Sequence, residues 1–213
     1  MPDFIPSGPV LAAYAAASVI LALTPGPDMT FFLSKTVAQS RAAGIAAFFG
    51  AWTGIVVHSC LVALGLSALL LASTVAFSLL KIVGAVYLAW LAFDAIRHGS
   101  SLTLKEGAAS DSLRSVYLKG LLVDLLNPKV IIFFLTFLPQ FVSAEDANVP
   151  GKLLFLGLTF AVVSIPACLP LIFFAERIAG WLKRSARATR VVDWLFAGVF
   201  SAFAVKLVLT GSR

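Results

Sequence analysis

Charged residues are scarce in this chain, and their scarcity excludes a soluble protein. Only 12% of the 213 residues are charged, whereas soluble domains carry about 25%. Hydrophobic residues make up 60% of the chain, and its mean hydropathy is +1.00. The longest polar stretch, at about 98–115, is loop-sized rather than domain-sized. The composition therefore predicts an all-α polytopic membrane protein with one transmembrane domain over residues 1–213.

The chain also lacks the motifs of common enzymes. It contains no Gly-rich nucleotide loop, no nucleophile elbow and no paired His–Glu metal motif. We therefore expect neither an enzyme nor a bound cofactor, and no ATP hydrolysis by this chain alone. It has two cysteines, Cys60 and Cys168, which are too few and too far inside apolar stretches to predict a disulfide framework.

Apolar stretches long enough to cross a bilayer dominate what remains. A transmembrane helix needs about 20 apolar residues. Only Asp3 is charged before the first stretch, so that stretch lacks the basic region of a secretory signal and is read as a span. The predicted spans lie at about 8–35, 44–71, 75–96, 116–139, 151–175 and 191–210.

Basic residues predict the orientation of these spans. Of the 16 Lys and Arg residues, 11 lie in or beside the first, third and fifth loops. Cytoplasmic loops are enriched in Lys and Arg, so these loops are predicted to face the cytoplasm and both termini to lie outside. The net charge of +6 is thus an orientation signal, with contacts to anionic lipid heads rather than nucleic acid.

Two similar interruptions divide the chain into repeats. "LTPGPDMTFFL" at 23–33 resembles "LLNPKVIIFFL" at 125–135, because each has a proline break, a following charge and a Phe-Phe pair. We predict two inverted three-helix repeats, at about 8–97 and 116–210, with helices 1 and 4 broken mid-membrane. Counted along the helices, Asp28 and Asp124 lie at a similar depth, about 10–12 Å from the cytoplasmic edge.

The residues at the breaks suit a zwitterionic ligand. A proline leaves a carbonyl without its amide partner, and a half-helix start offers free N–H groups. Asp28 adds a carboxylate that can bind an ammonium group. Asn127 and Lys129 add an amide and a cation that can bind a carboxylate. The predicted substrate-binding residues are Pro25, Gly26, Pro27, Asp28, Asn127, Pro128 and Lys129.

Each of these features also has a purely structural interpretation. The prolines can be tolerated kinks, and Asp28 can cap its half-helix. Asp28 and Asp124 are the predicted proton-coupling residues, since ionisable groups within spans are usually functional; Asp124 can equally form a structural pair with Lys129. His58 can relay protons or simply pack.

A small-residue ridge follows the first loop. Gly50 and Gly54 lie four residues apart, and Gly44 precedes them on the same span. Such spacing lets helices approach closely. We predict a packing role for these glycines, either within the bundle or at a homodimer interface.

Together these stretches resemble the LysE/RhtB family of bacterial amino-acid exporters. The resemblance rests on "TPGPD", "AAGIAAFFGAWTG", "KIVGAVYLAWLAFDAIR" and "NPKVIIFFLTFLPQF", in that order. It implies export of an amino acid or derivative across the bacterial inner membrane, driven by protons, with substrates such as threonine, homoserine, leucine or basic amino acids. The matching positions are Pro25, Gly26, Pro27, Asp28, Gly44, Gly50, Gly54, Asn127, Pro128, Lys129 and Pro139.

Two other functions stay open. A divalent metal-ion exporter would have only Asp28, Asp124 and His58 as ligands, without a spaced ligand motif. A thiol-disulfide electron conduit would use Cys60 and Cys168, although a buried cysteine is usually a small hydrophobe.

Overall fold

The computed structural model describes residues 4–24, 26–72, 111–142 and 146–175, with isolated helical positions between 79 and 97 and between 177 and 205. The predicted spans at 75–96 and 191–210 therefore lie outside the described residues except for those positions, and so does Pro25. All secondary structure in the described part of the chain is helical. The helices are α1 (Gly8–Leu23), α2 (Pro27–Ala38), α3 (Arg41–Ala72), α4 (Leu113–Leu125), α5 (Pro128–Thr136), a 3₁₀ helix (Leu138–Phe141) and α6 (Val149–Phe173).

The described helices are long and apolar enough for a membrane. Arg41–Gly65 and Val149–Phe173 each meet the length and composition of a span. Two bent pairs, α1 with α2 and α4 with the segment Pro128–Phe141, bring the number to as many as four if each pair counts as one span. Large apolar side chains cover the outside of the helices, including Leu64, Leu126 and Val162. That surface is suited to lipid, since soluble proteins rarely expose large contiguous apolar patches.

Helix α3 is the central element of the bundle. It packs most extensively against α4, and it also contacts α6 and α2. The indole N–H of Trp52 donates to the carbonyl oxygen of Ala161 at 2.8 Å, which joins α3 to α6. On the other side of α6, the hydroxyl of the fully buried Tyr14 donates to the carbonyl oxygen of Leu156 at 2.9 Å. Both polar groups are thus satisfied by backbone acceptors, as burial requires.

Glycines bring α3 and α4 into backbone contact. A Cβ atom on Gly50 would lie 2.9 Å from the amide nitrogen of Leu121. From the other helix, a Cβ atom on Gly120 would lie 3.1 Å from the backbone of Ala47. Gly44 faces the side chain of Thr36 on α2. The ridge therefore faces neighbouring helices of the same chain.

An ion-pair cluster joins the end of α2 to the start of α4. The Lys35 ammonium lies 2.7 Å from the Asp111 carboxylate, and the Lys119 ammonium lies 3.0 Å from it. The Gln39 side chain also donates to the carbonyl oxygen of Asp111 at 2.6 Å. The hydrogen bond from Lys35, and next that from Lys119, lowers the pKa of Asp111 below its usual 3.8. The first and third loops therefore lie at the same end of the bundle.

The lowered pKa predicts a pH-dependent contribution to stability. A carboxylate whose folded pKa is depressed stabilises the fold above its unfolded pKa, and this is lost as the pH falls through the folded pKa. Asp111→Asn should lower the melting temperature at pH 7, and its difference from wild type should close below about pH 4. Thermal unfolding in detergent across this range measures it. A difference that stays constant with pH would contradict the assignment. Lys35→Gln should lower the melting temperature more than Lys119→Gln, because Lys119 is half exposed.

Close packing at Gly50 predicts a position-specific cost of added volume. Gly50→Val places a side chain against the α4 backbone, and overpacking of this kind costs about 1–3 kcal/mol. The matched control is Gly65→Val on the same helix, where a Cβ atom meets nothing within 4 Å. The melting temperature in detergent should fall for Gly50→Val and stay near that of wild type for Gly65→Val. Equal effects would mean that helix propensity, rather than contact with α4, governs both variants.

Candidate functional site

The interruption between α4 and α5 is built by an Asn-Pro pair. The segment that begins at Pro128 is bent by 49° from α4. Pro128 takes the first position of α5, where its missing N–H costs nothing. Asn127 caps this helix, because its side-chain oxygen accepts from the backbone N–H of Lys129 at 3.1 Å. The backbone N–H of Asn127 donates to the carbonyl oxygen of Asp124 at 2.9 Å. The sequence thus both ends one helix and starts the next.

The interruption between α1 and α2 has related chemistry. Helix α1 ends at Leu23, and α2 begins at Pro27 with Gly26 as its extended N-cap residue. Asp28 lies in the first turn of α2, where a carboxylate favours the positive end of the helix dipole. Thr24 is buried beyond the end of α1, and its hydroxyl donates back to the carbonyl oxygen of Ile20 at 2.8 Å.

The two interruptions meet through three polar contacts. The Lys129 ammonium donates to the carbonyl oxygen of Thr24 at 3.0 Å and lies 3.4 Å from Oδ1 of Asp28. The Asn127 amide donates to the same Asp28 oxygen at 3.1 Å. Asp28 and Lys129 are only 17% and 8% exposed at their side chains. Residues that are about 100 positions apart therefore form one charged cluster, which we call the break cluster: Thr24, Asp28, Asn127 and Lys129.

Gly26 leaves the space in which this cluster forms. A Cβ atom at this position would lie 2.8 Å from Oδ1 of Asp28 and 2.8 Å from the Lys129 ammonium. Any side chain would therefore have to displace the ion pair. The backbone at Gly26 is extended, so the need for glycine here arises from space and not from a left-handed conformation.

Asp124 lies nearby in a very different environment. Its side chain is fully buried, and neither carboxylate oxygen has a hydrogen-bond partner among the described residues. His58 is the nearest base, with Nε2 at 3.9 Å from Oδ2 of Asp124 and 3.4 Å from its carbonyl oxygen. Gly54 faces the carboxyl group directly. A buried carboxyl without partners is costly in its charged form, so this environment favours a group that accepts a proton.

The sequence left open whether Lys129 would pair with Asp124. In the structure the hydrogen bonds of the Lys129 ammonium go to Thr24 and Asp28. Asp124 instead lies against α3, where it contacts His58 and Gly54. Of the predicted site residues, Gly26, Asp28, Asn127 and Lys129 come together, and Pro27 and Pro128 start the helices that present them.

A narrow cavity adjoins the break cluster. Asp28 and Lys129 line it together with Ser164, Cys168 and apolar side chains of α1, α2, α3, α5 and α6. Its volume is about 20 Å³, which accommodates a water molecule and is far too small for an amino acid. This conformation is therefore closed around the cluster.

The cysteines occupy different environments. Cys168 is buried, and its thiol donates to the carbonyl oxygen of Ala22 at 3.5 Å. Cys60 is exposed on α3, and neither forms a disulfide. Among the residues with described positions, no three His, Cys, Asp or Glu side chains are grouped to hold a metal ion.

Sequence reasoning missed Thr24 and Ser164. Thr24 contributes a backbone carbonyl, which no residue type reveals, although a position directly before a proline-containing break was a usable signal. Ser164 lies in an apolar stretch of α6, and its hydroxyl donates to the carbonyl oxygen of Ala161 at 2.8 Å. Nothing in its spacing distinguishes it from a packing residue.

Sequence comparisons place the chain among bacterial transport proteins. A profile of the family described as "LysE type translocator" matches residues 19–211. The chain is 32% identical to the homoserine/homoserine lactone efflux protein of Salmonella typhimurium over 188 residues, which cover 88% of this chain and 90% of that protein. It is 29% identical to the leucine efflux protein of Klebsiella pneumoniae over 198 residues, covering 91% and 92%. No solved structure matches.

The break cluster predicts coupled effects on stability. Removing one partner of a buried ion pair leaves an uncompensated charge and costs up to about 3–5 kcal/mol. Asp28→Asn and Lys129→Met should each lower the melting temperature in detergent, and the double variant should lower it by less than the sum. Lys119→Met, which removes a half-exposed ammonium, is the control and should have the smallest effect. Additive losses at Asp28 and Lys129 would show that the two charges do not interact.

Proposed function

The chain belongs to the LysE family of translocators, as its motifs predict, and from that premise we propose that it exports an amino acid or amino-acid derivative from the cytoplasm by proton antiport. The observation that carries this proposal is the break cluster, in which two interrupted helices bring a carboxylate, an amide and an ammonium group together beside a cavity. The named relatives are efflux proteins for homoserine, homoserine lactone and leucine. We take a neutral amino acid as the substrate class.

The proposed binding residues act through complementary charge. Asp28 and the carbonyl oxygen of Thr24 are acceptors for an ammonium group, whereas Lys129 and the Asn127 amide are donors for a carboxylate. Gly26, Pro27 and Pro128 supply the backbone geometry, and Pro25 belongs to the same motif. A zwitterion can bind both the acceptor pair and the donor pair, whereas a simple cation or anion can bind only one of them.

The proposed proton sites are Asp28 and Asp124. Asp124 has the environment for proton uptake, because it is fully buried without hydrogen-bond partners in the described part of the protein. Asp28 is shared between substrate and proton, so that the two compete for one carboxylate. A proton on Asp28 changes the charge balance of the break cluster, and such a change can couple proton binding to substrate binding.

Alternating access follows from the closed cavity. At about 20 Å³ it admits no amino acid, so transport requires the helices around it to separate. Three polar contacts join the α1–α2 break to the α4–α5 break. They are the contacts we propose to break and reform, as in carriers built from inverted repeats.

The arrangement of helix ends supports the proposed topology. The Lys35–Asp111 pair puts the first and third loops at one end, which we assign to the cytoplasm. Phe4 packs against Phe155, with ring centroids 6.1 Å apart, so the N-terminal region lies beside the start of α6. That end would face outward, in two inverted repeats inserted in the bacterial inner membrane.

The proposal predicts how efflux responds to neutralising each carboxylate. A hydrogen bond to a charged group is worth about 1.5–3 kcal/mol, so Asp28→Asn should lower amino-acid efflux by about tenfold or more. Asp124→Asn should leave the remaining efflux insensitive to a protonophore. Efflux of labelled homoserine, threonine and leucine from loaded cells, with and without a protonophore, measures both effects.

Two controls separate this function from its competitors. Asp146 precedes α6 and pairs with Lys152 in the first turn of that helix, outside the break cluster. The Asp146→Asn variant should therefore export normally. The Cys60→Ser, Cys168→Ser double variant should also export normally, whereas a thiol-disulfide conduit would lose all function. Normal efflux by Asp28→Asn would reject the proposed site.

A further inference from the structure

The Lys129 ammonium occupies acceptors that would otherwise be available to a ligand. It donates to the carbonyl oxygen of Thr24 at 3.0 Å and to Oδ1 of Asp28 at 3.4 Å. The side chain reaches these atoms from the other interrupted helix pair, and the residue is only 7% exposed. A protein ammonium group therefore fills a two-acceptor subsite next to the cavity.

We propose that the Thr24 carbonyl and the Asp28 carboxylate form the subsite for a primary ammonium group of the substrate, and that Lys129 fills this subsite until substrate displaces it. The proposal rests on the proposed export function and adds that a side chain of the protein occupies the ammonium subsite before substrate binds. It also makes Lys129 a tethered competitor of the substrate.

The chemistry of the two acceptors fits a primary ammonium group. A lysine ammonium is a compact cation with three donors on a flexible stem, and the α-ammonium of an amino acid carries the same donor set. The carbonyl of Thr24 lies at the C-terminal end of α1, where the helix dipole adds negative potential. Gly26 leaves room for a cation at this point, as its added Cβ atom would lie 2.8 Å from the ammonium.

Displacement gives Lys129 a second role. Once the substrate ammonium takes its place, the Lys129 ammonium is free beside the substrate and can pair with its carboxylate. A buried ammonium without a counter-charge is costly, so a ligand without a carboxylate pays this cost and a zwitterion does not. Lys129 thus favours zwitterions over simple amines.

Truncation of Lys129 provides the direct test. Lys129→Ala removes three methylene groups and the ammonium, which propylammonium matches atom for atom. Ligand binding to the folded state raises its stability, so saturating propylammonium should raise the melting temperature of the purified full-length variant by about 2–4 °C. Propanol at the same concentration should have no effect, and neither compound should shift the wild type, whose subsite is filled.

Matched variants define the outcomes. The Asp28→Asn, Lys129→Ala double variant should show no propylammonium shift, and neither should Lys119→Ala, which truncates an exposed lysine. If Lys129→Ala does not fold, Lys129→Met keeps an apolar stem of the same length and lacks only the ammonium group. The ammonium ion is then the added ligand in place of propylammonium, and sodium is its control. Equal shifts with propanol or sodium, or no shift in any variant, would overturn the subsite.

The test is separable from that of the proposed function. Suppose that propylammonium raises the melting temperature of Lys129→Ala while the wild type exports no amino acid. This result would keep the ammonium subsite and reject amino acids as its substrates. Normal amino-acid efflux by the wild type, with no ligand-dependent shift in the melting temperature of the Lys129 variants, would keep the export function and reject the subsite.

Discussion

The contact between two helix interruptions is the constraint on which this structure depends. An interrupted helix in an apolar medium exposes carbonyl and amide groups that lipid cannot satisfy. Here each interruption supplies what the other lacks, because Lys129 from the α4–α5 break donates to the carbonyl of Thr24 at the α1–α2 break. Asn127 and Asp28 complete the exchange. The site is therefore the way in which two otherwise costly breaks are satisfied.

Helix α3 holds this exchange in place through its small residues. Gly50 brings the backbone of α3 against α4, and this contact fixes the position of the α4–α5 break along α3. One turn further on, Gly54 leaves room for the Asp124 carboxyl, and one more turn presents His58 to it. Packing and charge are thus set by one helix face, and a change in the α3–α4 contact alters the surroundings of Asp124 directly.

The positions of the helix ends follow from local sequence, whereas the pairing of charges does not. Pro27 and Pro128 lie at the first position of their helices, as fixed φ and a missing amide require. The partner of Lys129 depends on how the two breaks face each other. From the sequence alone, its flexible side chain could pair with either Asp28 or Asp124. Thr24 acts through its backbone, so its side chain carried no signal. The family, by contrast, was identifiable from ordered motifs, because breaks, glycines and spans recur together.

The closed cavity and the ion pair constrain the proposed transport cycle through the charge balance of the break cluster. With Lys129 on Asp28, the break cluster is internally neutral, so the helices can close without burying a net charge. A zwitterion that replaces this pairing keeps the same balance, because it brings one charge of each sign. A proton on Asp28 does not, since it leaves the Lys129 ammonium uncompensated and weakens the contact that holds the breaks together. Under the proposed antiport, substrate and proton both release Lys129 from Asp28, but only the substrate brings a carboxylate that compensates the Lys129 ammonium.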